Sequence, residues 1–146
     1  DSDYPIAVPL SRPHIEFDEL PTFETLALLG DKSKAMKLMA YYRFSNPAEK
    51  RNNYLRNLWA YISYVLGHKK SKDILEYHYK GTIAELFVEI KQSNIVCEGD
   101  CKGDMLYDLI MLNYSRAKQD KRNEEHYYNQ LKSKGIDKRL LNPLRI

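Results

Sequence analysis

Residues 26–42 read LALLGDKSKAMKLMAYY: an apolar run, a Gly30-Asp31 break, and a second run with apolar residues at helical spacing. Glycine tolerates the left-handed backbone found just past helix ends. Asp and Ser side chains accept hydrogen bonds from the unpaired N–H groups at a helix start. The stretch therefore reads as helix, tight turn, helix: Gly30 closes the first, and Asp31 or Ser33 caps the second, which runs to about Phe44. One question follows for the whole chain. If the hairpin repeats, the chain is a scaffold; if not, it is one compact domain.

The same punctuation continues on both sides. Upstream, Thr22 is placed to cap a short helix over FETLALL. Downstream, Asn46-Pro47-Ala48-Glu49 combines a capping side chain, a first-turn proline and a glutamate at the third helical position. The helix that follows sets Leu55, Leu58, Trp59, Ile62, Val65 and Leu66 on one face before Gly67, with Trp59 central to the core. Ser71 to Tyr79 is a further helical stretch, broken at Gly81, and Thr82-Ile83-Ala84-Glu85 is a second capping box. After a loop over 93–103, Asp104 is read as the cap of MLYDLIMLNYSRAK, and a helix around NEEHYYNQLKSK ends at Gly135. No Asn-Gly or Asp-Gly turn joins alternating runs. The expected fold is all-α, with about seven helices as antiparallel hairpins packed in a compact bundle or short solenoid.

Residues 1–21 differ from the rest. Pro5, Pro9, Pro13 and Pro21 remove backbone donors and favour extended conformations, while Ile6, Val8 and Leu10 alternate between them. These residues are expected to form an extended acidic arm laid over a surface, ahead of a single helical domain over 22–146. Charge follows the same division. Residues 1–31 carry seven acidic residues and Arg12 as the one base, whereas the net charge of the whole chain is +3. Such asymmetry suits an arm that crosses a basic body, or two surfaces for different partners.

No apolar run reaches the roughly 18–20 residues that a membrane span needs. The first residues lack a basic start and a long apolar region, so no signal peptide is expected and an intracellular, soluble chain is favoured over a mature secreted one.

The opening hairpin resembles the tetratricopeptide family, whose unit is a helix pair with small residues at the close crossing and a proline near the end of the second helix. Gly30 lies in the turn, Ala35 takes the small-residue place, and Pro47 falls twelve residues beyond Ala35. LIMLNYSRAKQDKRNEEHYYNQL has a second hairpin outline, with Tyr128 in the aromatic place and Glu124 where the family has alanine. Met39 replaces the usual aromatic, and a step of 34 residues from Ala35 reaches Lys69, so no strict period survives. The resemblance implies a protein–protein adaptor that presents a helical groove to a peptide or helix.

On that reading the partner-binding residues are Lys32, Lys34 and Lys37 at the hairpin turn, with Tyr54, Tyr61 and Tyr64 as a groove wall beside the core stripe. Nucleic acid is the alternative partner: basic groups gather near turns and twelve tyrosines accompany them, a combination that suits phosphate contact and base stacking. Arg122-Asn123-Glu124-Glu125-His126 is similar to the Arg-polar-His motif of HEPN-type ribonucleases, all-α domains in which, the resemblance implies, arginine holds the scissile phosphate and histidine aids proton transfer. Arg122 and His126 are i, i+4 and share a helix face, though fewer residues separate them than in that family. Cys97 and Cys101 are a disulfide candidate, which would suit a secreted effector-like domain. With no second ligand pair at zinc spacing, no calcium-loop order and no glycine-rich phosphate loop, neither metal nor cofactor is expected. A binding role is favoured over an enzymatic one.

Overall fold

The computed structural model of the chain describes residues 8–96 and 104–143. Every regular element among the described residues is helical, so the all-α class is correct. The helices group into two compact units, one ending at Lys80 and the other beginning at Gly81. In the first, a 3-10 turn at Phe17–Glu19 leads into α1 (Leu20–Leu28), α2 (Lys32–Arg43), α3 (Lys50–Val65) and α4 (Lys70–His78). In the second, α5 (Ile83–Ser93), α6 (Met105–Ala117) and α7 (Lys121–Lys134) are followed by a 3-10 turn at Lys138–Leu140.

The α1–α2 hairpin forms as its sequence dictates. Gly30 takes φ +117°, a left-handed conformation open to glycine, and its N–H returns to the Ala27 carbonyl at 2.9 Å. Asp31, with extended backbone, accepts from the Lys34 N–H at 3.1 Å and starts α2. Ala35 is fully buried, as the close crossing of two helices requires.

Consecutive helices of the first unit pack on one another: α1 on α2, α2 on α3, α3 on α4. Two contacts give α2 and α3 an antiparallel sense. Lys32, at the start of α2, lies 4.0 Å from where a side chain on Gly67, past the end of α3, would stand. At the other end, Arg51 in the first turn of α3 hydrogen-bonds the Tyr42 hydroxyl near the end of α2. Burial of the phenol, and after it the Glu24 charge, push the Tyr42 pKa up to about 12.

The core of this unit is built from Leu28, Leu38, Met39, Leu55, Leu58, Ile62 and Leu66 around a fully buried Trp59. Trp59 Nε1 and Ser63 Oγ, one helical turn apart, are the buried side-chain polar atoms among the described residues that have no hydrogen-bond partner.

In the second unit, α6 packs against both α5 and α7. The α6–α7 hairpin is antiparallel and is tied at both ends. Arg116 in the last turn of α6 meets Glu124 in the first turn of α7 at 3.4 Å. Asp108 in the first turn of α6 meets Lys134 in the last turn of α7 at 2.6 Å. Gly135 then ends α7 at φ +82°, as its position predicts. Beyond α7, Leu140 and Leu141 are buried, and Arg116 also donates to the Leu141 carbonyl.

Several helix starts depart from expectation. Thr22 is not a cap, because α1 begins at Leu20 and takes Pro21 into its first turn, where a missing N–H costs nothing. Asn46 does not start α3. Its Oδ1 accepts from the Ala48 N–H at 3.0 Å and its carbonyl from the Glu49 N–H at 3.2 Å, closing a separate turn. Glu49 takes the cap position of α3 instead. Asp104 occupies the cap position of α6 without a side-chain capping bond. Thr82 does cap α5, accepting from the Glu85 N–H at 3.1 Å.

The described part of the N-terminal segment lies on its own unit. Arg12 stacks 4.2 Å over the Tyr41 ring of α2, Ile15 is buried, and Leu10 points to solvent. Pro5 and Ile6 lie outside the described residues.

Candidate functional site

The LALL run of α1 is apolar at four successive positions, whereas a helix resting on one neighbour can bury only one face. Ala27 and Leu28 are the ones buried. Leu26 and Leu29, three residues apart and so on one face, remain 38% and 48% exposed. Phe17, just before α1, is 84% exposed. Among the described residues, the large apolar side chains left exposed are Leu10, Phe17, Leu26, Leu29, Phe44 and Tyr77, and all belong to the first unit.

Lys32, Lys34 and Lys37, expected as contact points at the hairpin turn, are half-buried. Lys34 folds back so that Nζ lies 4.6 Å from the Phe23 ring centroid of α1, while its N–H is held by Asp31. Long lysine stems cover apolar surface and keep the ammonium in water. Lys34 therefore sets a cation on α1 one helical turn before Leu26.

The expected tyrosine wall is corrected in one member. Tyr54 and Tyr64 are half-buried, but Tyr61 is only 3% exposed and offers no surface to a partner. The reason is that α3 is covered by α2 on one side and α4 on another, so residues 57–63 are buried without a break. The pattern of leucines marks one stripe of α3 and does not show the second neighbour.

Arg122 and His126 are both exposed on α7. The Gln130 amide donates to His126 Nε2 at 3.1 Å, and the imidazole stands edge-on to the Tyr127 ring at 4.9 Å. The more constrained arginine of this hairpin is Arg116, which nothing in the sequence singles out. It meets Glu124, Asn113 Oδ1 at 3.4 Å and the Leu141 carbonyl, a set that holds the hairpin to the tail. Cys97 and Cys101 lie outside the described residues. Among the described residues no group of three or more His, Cys, Asp or Glu is arranged to hold a metal ion. Among them, too, no helix is long and apolar enough to cross a membrane.

Compared with models of known families, with curated proteins and with solved structures, the chain gives no match.

Leu26, Leu29 and Phe17 were legible as apolar residues but not as surface. The signal was available in excess: four apolar positions in a row exceed what a single packed face can use. Phe44 and Tyr77 carried no such signal, since aromatic residues at helix ends are as often buried as not.

Proposed function

We propose that the chain is a protein–protein interaction module, and that the α1–α2 hairpin is the surface it presents. The observation that supports this reading is the pairing of Leu26 and Leu29 on one exposed face with Lys32, Lys34 and Lys37 around the turn. Exposed apolar residues followed by a lysine-rich turn suit an amphipathic helix or peptide with acidic flanks. Burying Leu26 and Leu29 fully would contribute about 1–3 kcal/mol from their exposed area, one part of what a complex needs. The tetratricopeptide resemblance of this hairpin belongs to the same proposal, with Ala35 as the close-packing position.

The test is partner capture with paired variants. Leu26→Glu/Leu29→Glu leaves the buried core untouched and places carboxylates on the proposed strip. It should abolish a stoichiometric protein partner that wild type and Lys132→Gln both retain, with the helical circular dichroism unchanged. Retention of that partner by the double glutamate variant would remove the α1–α2 face from consideration.

A further inference from the structure

The antiparallel packing of the first unit gathers three segments at one end: the end of α2 with Arg43 and Phe44, the start of α3 through Asn57, and the end of α4 with Tyr77, His78 and Lys80. We propose that this end binds single-stranded nucleic acid, with Arg43 and Arg56 on backbone phosphates and Phe44 and Tyr77 as stacking faces for bases.

Arg56 is the central cation of this end. Its guanidinium is fixed by three hydrogen bonds to amide oxygens: Nε and Nη2 to Asn57 Oδ1 at 3.2 and 3.1 Å, and Nη1 to Asn53 Oδ1 at 3.0 Å. Asn53 is itself anchored, its Nδ2 donating to the Pro47 carbonyl at 3.1 Å, and Asn57 is buried. No carboxylate stands within ion-pair distance of Arg56 or Arg43 among the described residues. A half-buried cation oriented by neutral groups and lacking a counter-charge costs stability unless an anion completes it.

The neighbours deepen that deficit. Burial and the charge of Arg43 push the Arg56 pKa down. Burial, then Arg56, Arg43 and Lys80, push His78 down as well, so these cations lie close enough to repel one another. Arg43 and His78 have an ordinary reason to be where they are, since each sits in the last turn of a helix, beside the negative end of its dipole. Arg56 has none. It lies in the second turn of α3, toward the positive end of that helix.

The aromatic groups favour a nucleic acid over a phosphorylated peptide. The Arg43 guanidinium lies 5.2 Å over the Phe44 ring, and the Tyr77 ring lies 4.9 Å from that of His78, with Phe44 38% and Tyr77 69% exposed. Exposed rings next to phosphate-binding cations form the sequence-tolerant stacking platforms of single-strand binders. The site is separate from the Leu26–Leu29 strip and does not depend on the proposed protein partner.

Fluorescence anisotropy with labelled single-stranded RNA and DNA oligomers of mixed sequence tests the site. The same sequence as a duplex, and a phosphotyrosine peptide, serve as competitors. Binding should weaken with salt. Arg56→Gln and Arg43→Gln should each lower affinity about tenfold and flatten the salt slope by about one. Phe44→Ala/Tyr77→Ala should lower affinity without changing that slope, and Lys132→Gln, an equal charge loss on α7, should change little. Thermal unfolding separates binding from folding: Arg56→Gln should melt at or above the wild-type temperature, because it removes an uncompensated cation. No binding at low salt, an Arg56→Gln variant that binds like wild type, an equal loss in Lys132→Gln, or tighter binding of the phosphopeptide would each overturn the proposal. Should Arg56→Gln melt early, Arg43→Gln decides in its place, since the Arg43 side chain rests on the exposed Phe44 ring rather than in the core.

Discussion

Replacing Lys134 by Met should destabilise the second unit more than replacing its partner Asp108 by Asn. The pair is asymmetric: Asp108 is 2% exposed and Lys134 29%, with Nζ and Oδ2 2.6 Å apart. Two charges about 4 Å apart at an effective dielectric near 20 attract by about 4 kcal/mol, a gross figure from which desolvation must be subtracted. With Lys134→Met the Asp108 carboxylate stays where water hardly reaches it, and a loss of about 3 kcal/mol follows. With Asp108→Asn the remaining ammonium can turn toward solvent, and the loss falls to about 1 kcal/mol. Urea unfolding by circular dichroism gives the two values, and amide exchange in α6 and α7 assigns them to this hairpin.

An Asp108→Asn variant that costs more than Lys134→Met would refute the assignment of the cost to desolvation.

Two further outcomes follow from single positions. Tyr42, with its pKa raised to about 12 mainly by burial, favours the folded state fully below pH 10 and loses that contribution as pH rises toward 12; alkaline unfolding should show a loss of about 2 kcal/mol that Tyr42→Phe abolishes. Gly135→Ala meets no atom within 4 Å yet must hold φ +82°, so it should lower stability by about 1 kcal/mol in thermal unfolding, and Gly135→Asn by less.

The helices were legible because their boundaries rest on local chemistry. Gly30, Asp31, Thr82 and Gly135 act within four residues of themselves, and each does in the structure what its type and place imply. Where two local solutions compete, the sequence does not rank them. Asn46 can cap a helix or close a turn of its own; the turn won, and α3 starts four residues later. Burial is harder still. Tyr54 and Tyr61 occupy equivalent places on α3 seven residues apart, but Tyr61 is covered and Tyr54 partly open, because the central turns of α3 lie between two neighbours. Arg56 shows the same limit from the polar side. One residue among many basic ones in the sequence, it becomes distinctive only when the fold surrounds it with amide oxygens and other cations.

The two surfaces proposed for the first unit stand at opposite ends of α2. Leu29 and Lys32 flank its start, and Arg43 closes it; its 12 residues span about 18 Å. A peptide seated on Leu26 and Leu29 and a strand crossing Arg43 and Arg56 need not share a contact, and at that distance exposed charges are largely screened at physiological salt. Glutamates at Leu26 and Leu29 should accordingly leave oligomer affinity unchanged within about twofold, and Arg56→Gln should leave the protein partner bound. Both ligands would then be held at once by one helical unit. Mutual exclusion of the two would mean that they share a surface, and one of the two assignments would have to be withdrawn.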